Sequence, residues 1–203
     1  MHQREPLEGE RYFSASLFGT RKSPEKSALE IKRARHPRYD FSDMERPNSG
    51  SRLIIVCGLP GSGKTTYARQ LEASLGATRF CPDEWMQALS LDLWDEARRA
   101  GVEKLQWELG QKLLGLGATV VIEWGTWGRS ERDALRLRAR ELGAAVELHY
   151  LAVHVEVLIE RVQHRGLESP PIRPEQLLQW ADVFQAPTGE EFSLFDRAVT
   201  LQG

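Results

Sequence analysis

Eight consecutive residues, Gly58-Leu59-Pro60-Gly61-Ser62-Gly63-Lys64-Thr65, set three glycines directly ahead of a lysine and a hydroxyl. The spacing G-x-x-x-x-G-K-[ST] is met by Gly58, Gly63, Lys64 and Thr65. Glycines allow such a loop to turn successive backbone N–H groups inward, and the helix that follows adds the positive end of its dipole. Its chemistry is phosphate binding. Lys64 suits the β- and γ-phosphates of a nucleoside triphosphate, with ATP expected, and the Thr65 hydroxyl suits Mg²⁺. Pro60, Gly61 and Ser62 complete the cradle, and Thr66 continues into the helix behind it.

Two stretches further on carry acids. Asp83 and Glu84, in Cys81-Pro82-Asp83-Glu84-Trp85, follow a short strand-like segment, where ligands of open α/β sheets bind. A carboxylate there can take a proton from an acceptor hydroxyl or hold a metal-bound water, or Asp83 can simply cap a short helix. Glu123 ends the apolar run Thr119-Val120-Val121-Ile122, the position of an acid that coordinates Mg²⁺, or of a strand-end charge turned to solvent. Arg161 and Arg165, four apart, share a helix face ahead of Gly166-Leu167-Glu168-Ser169-Pro170-Pro171, so both could close over phosphates. Trp124, Trp127 and Arg129 fall in Trp124-Gly125-Thr126-Trp127-Gly128-Arg129, which suits an acceptor pocket, although both tryptophans also suit a core. Trp85, Trp107 and Trp180 read as packing residues, and His149, His154 and His164 have no partner at metal or triad spacing.

The elements that must position these groups follow from periodicity. Leu53 to Cys57 is a continuous apolar strand; Thr65 to Leu75 is a helix stopped by Gly76; Thr78 to Cys81 is a short strand. Asp95 to Leu116 reads as a long helix with Ala97, Val102, Leu105, Leu109, Leu113 and Leu116 facing inward, and Gly101 and Gly110 are the points at which it could break. Ser130 is the expected cap of a helix from Glu131 to Leu142, with Asp133 at capping-box distance. A strand over Ala145 to Val153, a helix over Val155 to Arg165, a helix near Glu175 to Phe184 and a strand near Ala198 to Leu201 complete the pattern. Alternation of this kind predicts a parallel sheet covered by helices on both faces.

The 203 residues fit one domain and a tail. Residues 1–50 are rich in charge, Ser, Pro and Gly, so a mostly disordered tail is expected ahead of a catalytic-sized domain over 51–203, with a Pro-rich break over 166–174. A net charge of −2 gives no general footprint for nucleic acid, and no apolar run is long enough to span a membrane. A cytoplasmic protein is the expectation. Cys57 and Cys81 read as reduced packing residues, and no heptad seam specifies an oligomer.

On Gly58 to Thr66, Pro82 to Trp85, Val121 to Arg132, Leu148 to Leu151, Arg161 with Arg165, and Trp180 to Pro187, the chain resembles the small P-loop kinases grouped with polynucleotide kinase, zeta toxin and chloramphenicol phosphotransferase. More closely, it looks like a bacterial branch often labelled ATP-binding or AAA-family ATPase, which implies a kinase-like domain over 51–203 with a lid around 166–174. The resemblance implies a P-loop NTPase fold, three layers α/β/α around five parallel strands, as in nucleotide kinases. It implies Asp83 as general base and Arg161 and Arg165 as a lid pair near adenine and phosphates. Met86 stands where polynucleotide kinase carries an arginine, so nucleic-acid ends are not the implied acceptor, and Glu123 stands where the branch tends to show Asp. The reading is a Mg·ATP-dependent phosphotransferase acting on a small-molecule hydroxyl, with Lys64, Asp83, Arg161 and Arg165 catalytic and Glu84, Trp124, Trp127 and Arg129 near the acceptor. A nucleotide-dependent regulatory module and a nucleoside or nucleotide kinase remain the alternatives.

Overall fold

The molecule is represented by a computed structural model that describes residues 50–165 and 172–203. The expected tail therefore lies outside the described residues apart from Gly50, as does most of the expected lid, 166–171. Five strands, β1 (Arg52–Cys57), β2 (Thr78–Phe80), β3 (Thr119–Ile122), β4 (Ala145–Ala152) and β5 (Arg197–Gln202), form one sheet in the order β2-β3-β1-β4-β5. Every pairing is parallel. Seven helices accompany them among the described residues: α1 (Lys64–Leu75), α2 (Pro82–Ala88), α3 (Glu96–Gly115), α4 (Arg129–Glu141), α5 (Val155–Arg165), α6 (Pro174–Val183) and α7 (Gly189–Phe192). This is the predicted three-layer fold with a five-stranded parallel sheet.

Strand β1 lies in the middle of the sheet, and all six of its residues are buried. Its side chains alternate between two cores, as a pleated strand requires. Leu53, Ile55 and Cys57 meet Phe80, Leu114, Val120, Ile122, Leu135 and Ala139 on the face covered by α3 and α4. Ile54 and Val56 meet Tyr67, Ala68 and Leu71 of α1 on the other. A polar chain also crosses that second face: Tyr67 Oη and His149 Nδ1 share a 2.8 Å hydrogen bond, His149 Nε2 lies 2.9 Å from Glu147, and Glu147 pairs with Arg52 at 2.9 Å. Each member satisfies the next, which lets buried polar groups persist. His149 is thus structural, as its sequence setting suggests.

Two local expectations need correction. Helix α3 runs unbroken through Gly101 and Gly110, but its buried residues are Arg99, Val102, Gln106, Gly110 and Leu114. Leu105 is 59% exposed, Leu116 82%, and Leu109 is also turned out. Apolar residues are spread around this helix, so periodicity misplaces its phase. Gly110 marks the true phase: a Cβ there would stand 3.3 Å from the Phe80 ring, so glycine lets this face approach the sheet without pushing that ring aside. At α4 the cap is Gly128, not Ser130, and Glu131 Oε2 accepts the Gly128 N–H at 3.2 Å.

Arg132 is the largest fully buried side chain. Its guanidinium donates to both carboxylate oxygens of Glu191, at 2.6 and 2.9 Å, to the carbonyls of Thr126 and Trp127, and to that of Gln185. One side chain thereby fixes the loop after β3 to the segment before α7. Removing one partner of such a pair costs about 3–5 kcal/mol, because the other charge stays buried alone. Arg132→Met should therefore lower unfolding stability by that order in a urea titration, and adding Glu191→Leu should recover a large part of the loss. A single variant as stable as the wild type would contradict this role.

Candidate active site

The Gly58–Thr65 loop leaves β1 at the carboxyl edge of the sheet and ends on Gly63, the N-terminal cap of α1. Gly58 has φ +147°, and a Cβ on it would stand 2.9 Å from both the Leu151 carbonyl and Ser62 Oγ. Gly61 has φ +83°, and a Cβ there would press to 3.0 Å on Val162 of α5. Both positions demand glycine for shape and for space. The loop closes on itself, with Ser62 N–H donating to the Leu59 carbonyl at 3.1 Å and Lys64 Nζ donating to the same oxygen at 3.0 Å. Lys64 is thus already curled over the cradle. Ser62 Oγ is buried with no hydrogen-bond partner, an inward polar atom of the kind a bound phosphate would satisfy.

Glu123 follows β3 directly and is buried. Its backbone N–H donates to Phe80 O at 3.3 Å, and its carboxylate accepts hydrogen bonds from the Thr65 hydroxyl and from Arg79. The two residues expected to hold Mg²⁺ are therefore in contact. A nucleotide-borne Mg²⁺ needs only one or two protein ligands, so a hydroxyl beside a carboxylate at the end of the phosphate loop fits it. Burial pushes the Glu123 carboxyl above its ordinary 4.5, with Arg79 and the Thr65 hydroxyl opposing.

Arg79, in β2, was not singled out by sequence. Besides Glu123 it meets Glu84 at 2.6 Å and Glu72 at 3.0 Å, so one buried guanidinium joins α1, α2 and the end of β3. An arginine in a three-residue edge strand reads as solvent-facing, and only the acids around it reveal its position. Glu84 is engaged by Arg69 as well, at 2.7 Å, and despite burial these two guanidiniums hold its carboxyl below the usual range. It serves this framework.

Asp83 stands in the first turn of α2, whose cap position belongs to Cys81, so Asp83 is not the cap. Its Oδ1 lies 2.5 Å from Arg99 Nη1 of α3, and Arg99 Nη2 donates to Leu93 O at 3.3 Å. Burial raises the Asp83 carboxyl above its ordinary 3.8, while the charges of Arg99 and Lys64 pull it back. That influence of Lys64 places Asp83 within electrostatic reach of the phosphate loop. Met86, one turn on, is fully buried in a cluster with Leu93 and Val102.

The remaining expected residues separate. Helix α5 abuts the loop through Leu158 and Val162; it carries Arg161, whose guanidinium lies beside Gly203, and ends at Arg165. Trp127 is buried against Trp180, Phe184, Val162 and Leu177, which makes it a packing residue. Trp124 is half-buried on the α3 side, with its indole N–H unpartnered. Arg129 pairs on the surface with Glu190 at 3.1 Å, and its backbone N–H donates to Gln185.

A phosphate loop at the carboxyl edge of a five-stranded parallel sheet, with an acid after β3 touching its threonine, defines a P-loop NTPase with the fold of the small P-loop kinases. The family model AAA_33, described as an AAA domain, matches residues 53–187, and the chain belongs to that family. An uncharacterized protein of Mycobacterium tuberculosis, Rv2004c, is 32% identical over 130 residues, covering 57% of this chain and 26% of that protein. The chain thus spans about a quarter of the length of the curated relatives it matches. Among solved structures, a proposed kinase from Chloroflexus aurantiacus is similar with a TM-score of 0.60 and 19% identity, over 76% of this chain and 86% of that one. Kti12 of Chaetomium thermophilum, solved with ADP-AlF3, gives 0.55 and 22%, over 74% and 88%. Both likenesses are of fold.

A carboxyl whose folded pKa is raised contributes stability below its unfolded value and loses it as pH rises through the folded one. Glu123→Gln should therefore melt at or above the wild-type temperature near neutral pH, by about 2–4 °C for each kcal/mol relieved. The difference should close as pH falls toward 4.5, measured by calorimetry across pH. A Glu123→Gln protein less stable than the wild type at neutral pH would mean the Arg79 pair outweighs the burial.

Proposed function

We propose that the protein is a phosphotransferase that uses Mg·ATP to phosphorylate a hydroxyl of a small organic acceptor. The observation that carries this reading is the position of Asp83, half-buried beside Arg99 and within the field of Lys64. Hydrolysis alone needs only a positioned water, whereas transfer to an alcohol is helped by a carboxylate that receives its proton.

Bound Mg·ATP would supply the transferable γ-phosphoryl group and neutralise charge on its oxygens. The chain's own residues do the rest. Backbone N–H groups of 58–65 and the start of α1 hold phosphate oxygens, and the Lys64 ammonium leaves the Leu59 carbonyl for them. Thr65 and Glu123 hold the cation. Asp83 orients the acceptor hydroxyl and accepts its proton, and Arg99 keeps that carboxylate aimed. Arg161 and Arg165, on the helix packed against Gly61, are the cations proposed to meet charge on the nucleotide. Adenine as the base and a compartment containing ATP are parts of the same proposal. Among the described residues, no helix is long and apolar enough to cross a membrane.

Lys64→Ala should weaken nucleotide binding and abolish transfer. Asp83→Asn should bind nucleotide with unchanged affinity by calorimetry, yet lose about 10²–10⁴-fold in turnover on an acceptor found by screening a metabolite and antibiotic panel. Because Asp83 must be ionised to act and its carboxyl is held above 3.8, the wild-type rate should rise with pH along a limb displaced upward from that value. Full turnover by Asp83→Asn would make the assigned base wrong.

A further inference from the structure

Of the eight buried side-chain polar atoms without a hydrogen-bond partner among the described residues, four belong to Gln106, Arg99 and Trp124. Both amide atoms of Gln106 are among them, and Gln106 is completely buried. A buried amide with neither atom satisfied has given up its water without replacement, a penalty that a bound ligand would remove. Its position says where a partner would be.

Gln106 shares the buried face of α3 with Arg99 and Gly110. Gly110, one turn below it, lies against Phe80 and Val120 of the sheet. Arg99, two turns above, holds Asp83. At about 1.5 Å of rise per residue, Gln106 lies about 6 Å along α3 from Gly110 and about 10 Å from Arg99, between the contact with the sheet and the Asp83–Arg99 pair. Trp85 of α2 and Trp124 after β3 pack onto the same cluster, with Trp85 edge-on to Phe80 at 6.0 Å between ring centroids.

We propose that Gln106, Arg99 and Trp124, walled by Trp85, form the floor of an acceptor site for an uncharged polyhydroxylated small molecule, one hydroxyl of which reaches Asp83. The proposal rests on the phosphotransferase reading for what happens to that hydroxyl, but not for the binding itself. An amide offers both donors and an acceptor, the complement of an alcohol, which is also both. The guanidinium of Arg99 is already balanced by Asp83, so the site has no net charge that requires an ionic ligand. The unpartnered Arg99 Nε and the Trp124 indole N–H add two donors for hydroxyl oxygens, and indole surfaces suit the C–H faces of a carbohydrate-like ring.

The test is calorimetric titration of the full chain with myo-inositol, D-sorbitol and D-glucose, in parallel with nucleosides, for the wild type and Gln106→Leu. At least one polyol should bind the wild type and lose about tenfold or more of its affinity in Gln106→Leu. The variant should keep its ADP affinity and melt no lower than the wild type, since an orphaned amide has been replaced by an apolar side chain. Failure of all three polyols to bind, or equal binding by the variant, overturns the proposal. A polyol that binds through Gln106 but receives no phosphate sustains this site and contradicts phosphotransfer. Phosphorylation of a different acceptor, indifferent to Gln106, does the reverse.

Discussion

The guanidinium of Arg79 sits among Glu72, Glu84 and Glu123, and the relative placement of α1, α2 and the end of β3 depends on it. Three carboxylates gathered at a sheet edge would repel one another and remain hydrated; a buried arginine with a forked set of donors lets them converge. Glu123 then reaches the Thr65 hydroxyl at the end of the phosphate loop, and Asp83, next to Glu84, is carried to the same edge. Phosphate cradle, proposed cation ligands and proposed base are thus linked through one side chain. Arg132 does for the 124–128 loop what Arg79 does for the acids, by occupying its carbonyls and Glu191 together.

Positive charge at this edge is distributed by role. Lys64 is bound to its own loop and available to phosphate, Arg99 is committed to Asp83, and Arg79 and Arg132 are committed to framework. Arg161 and Arg165, the pair proposed to meet charge on the nucleotide, belong to α5, a helix that approaches the loop so closely that a Cβ on Gly61 would press on Val162. The proposed transfer would need such a division, because cations spent on protein carboxylates cannot also meet the charge that develops on the nucleotide.

Much of this was legible in the sequence where a local rule is strict. The phosphate loop reads directly, because its glycines answer to backbone shape and its lysine and threonine to phosphate and metal. The strands read from their apolar runs, and Asp83 and Glu123 from their place at strand ends. What did not read depended on partners distant in the chain. Arg79 looks like an edge-strand residue until Glu72, Glu84 and Glu123 surround it. The phase of α3 was lost because Leu105 and Leu109 are exposed while Arg99, Gln106 and Gly110 lie on the buried face, against Asp83 and Phe80. Arg132 did leave a trace, since it falls in register with Leu135 and Ala139 on the buried face of α4. Trp127 looked like a pocket residue by proximity to Glu123, but its ring belongs to the cluster under α5 and α6.

The fold and loop establish nucleotide-binding architecture, and the arrangement of Asp83, Arg99 and Lys64 is the ground on which transfer is proposed. The most direct measurement follows the γ-phosphate itself. ATP labelled at that position, incubated with the protein, Mg²⁺ and a metabolite panel, should yield label on an organic product, with none from Lys64→Ala. Label appearing only as free inorganic phosphate, at the same rate with and without the panel, would contradict phosphotransfer and leave an ATP-hydrolysing module in its place.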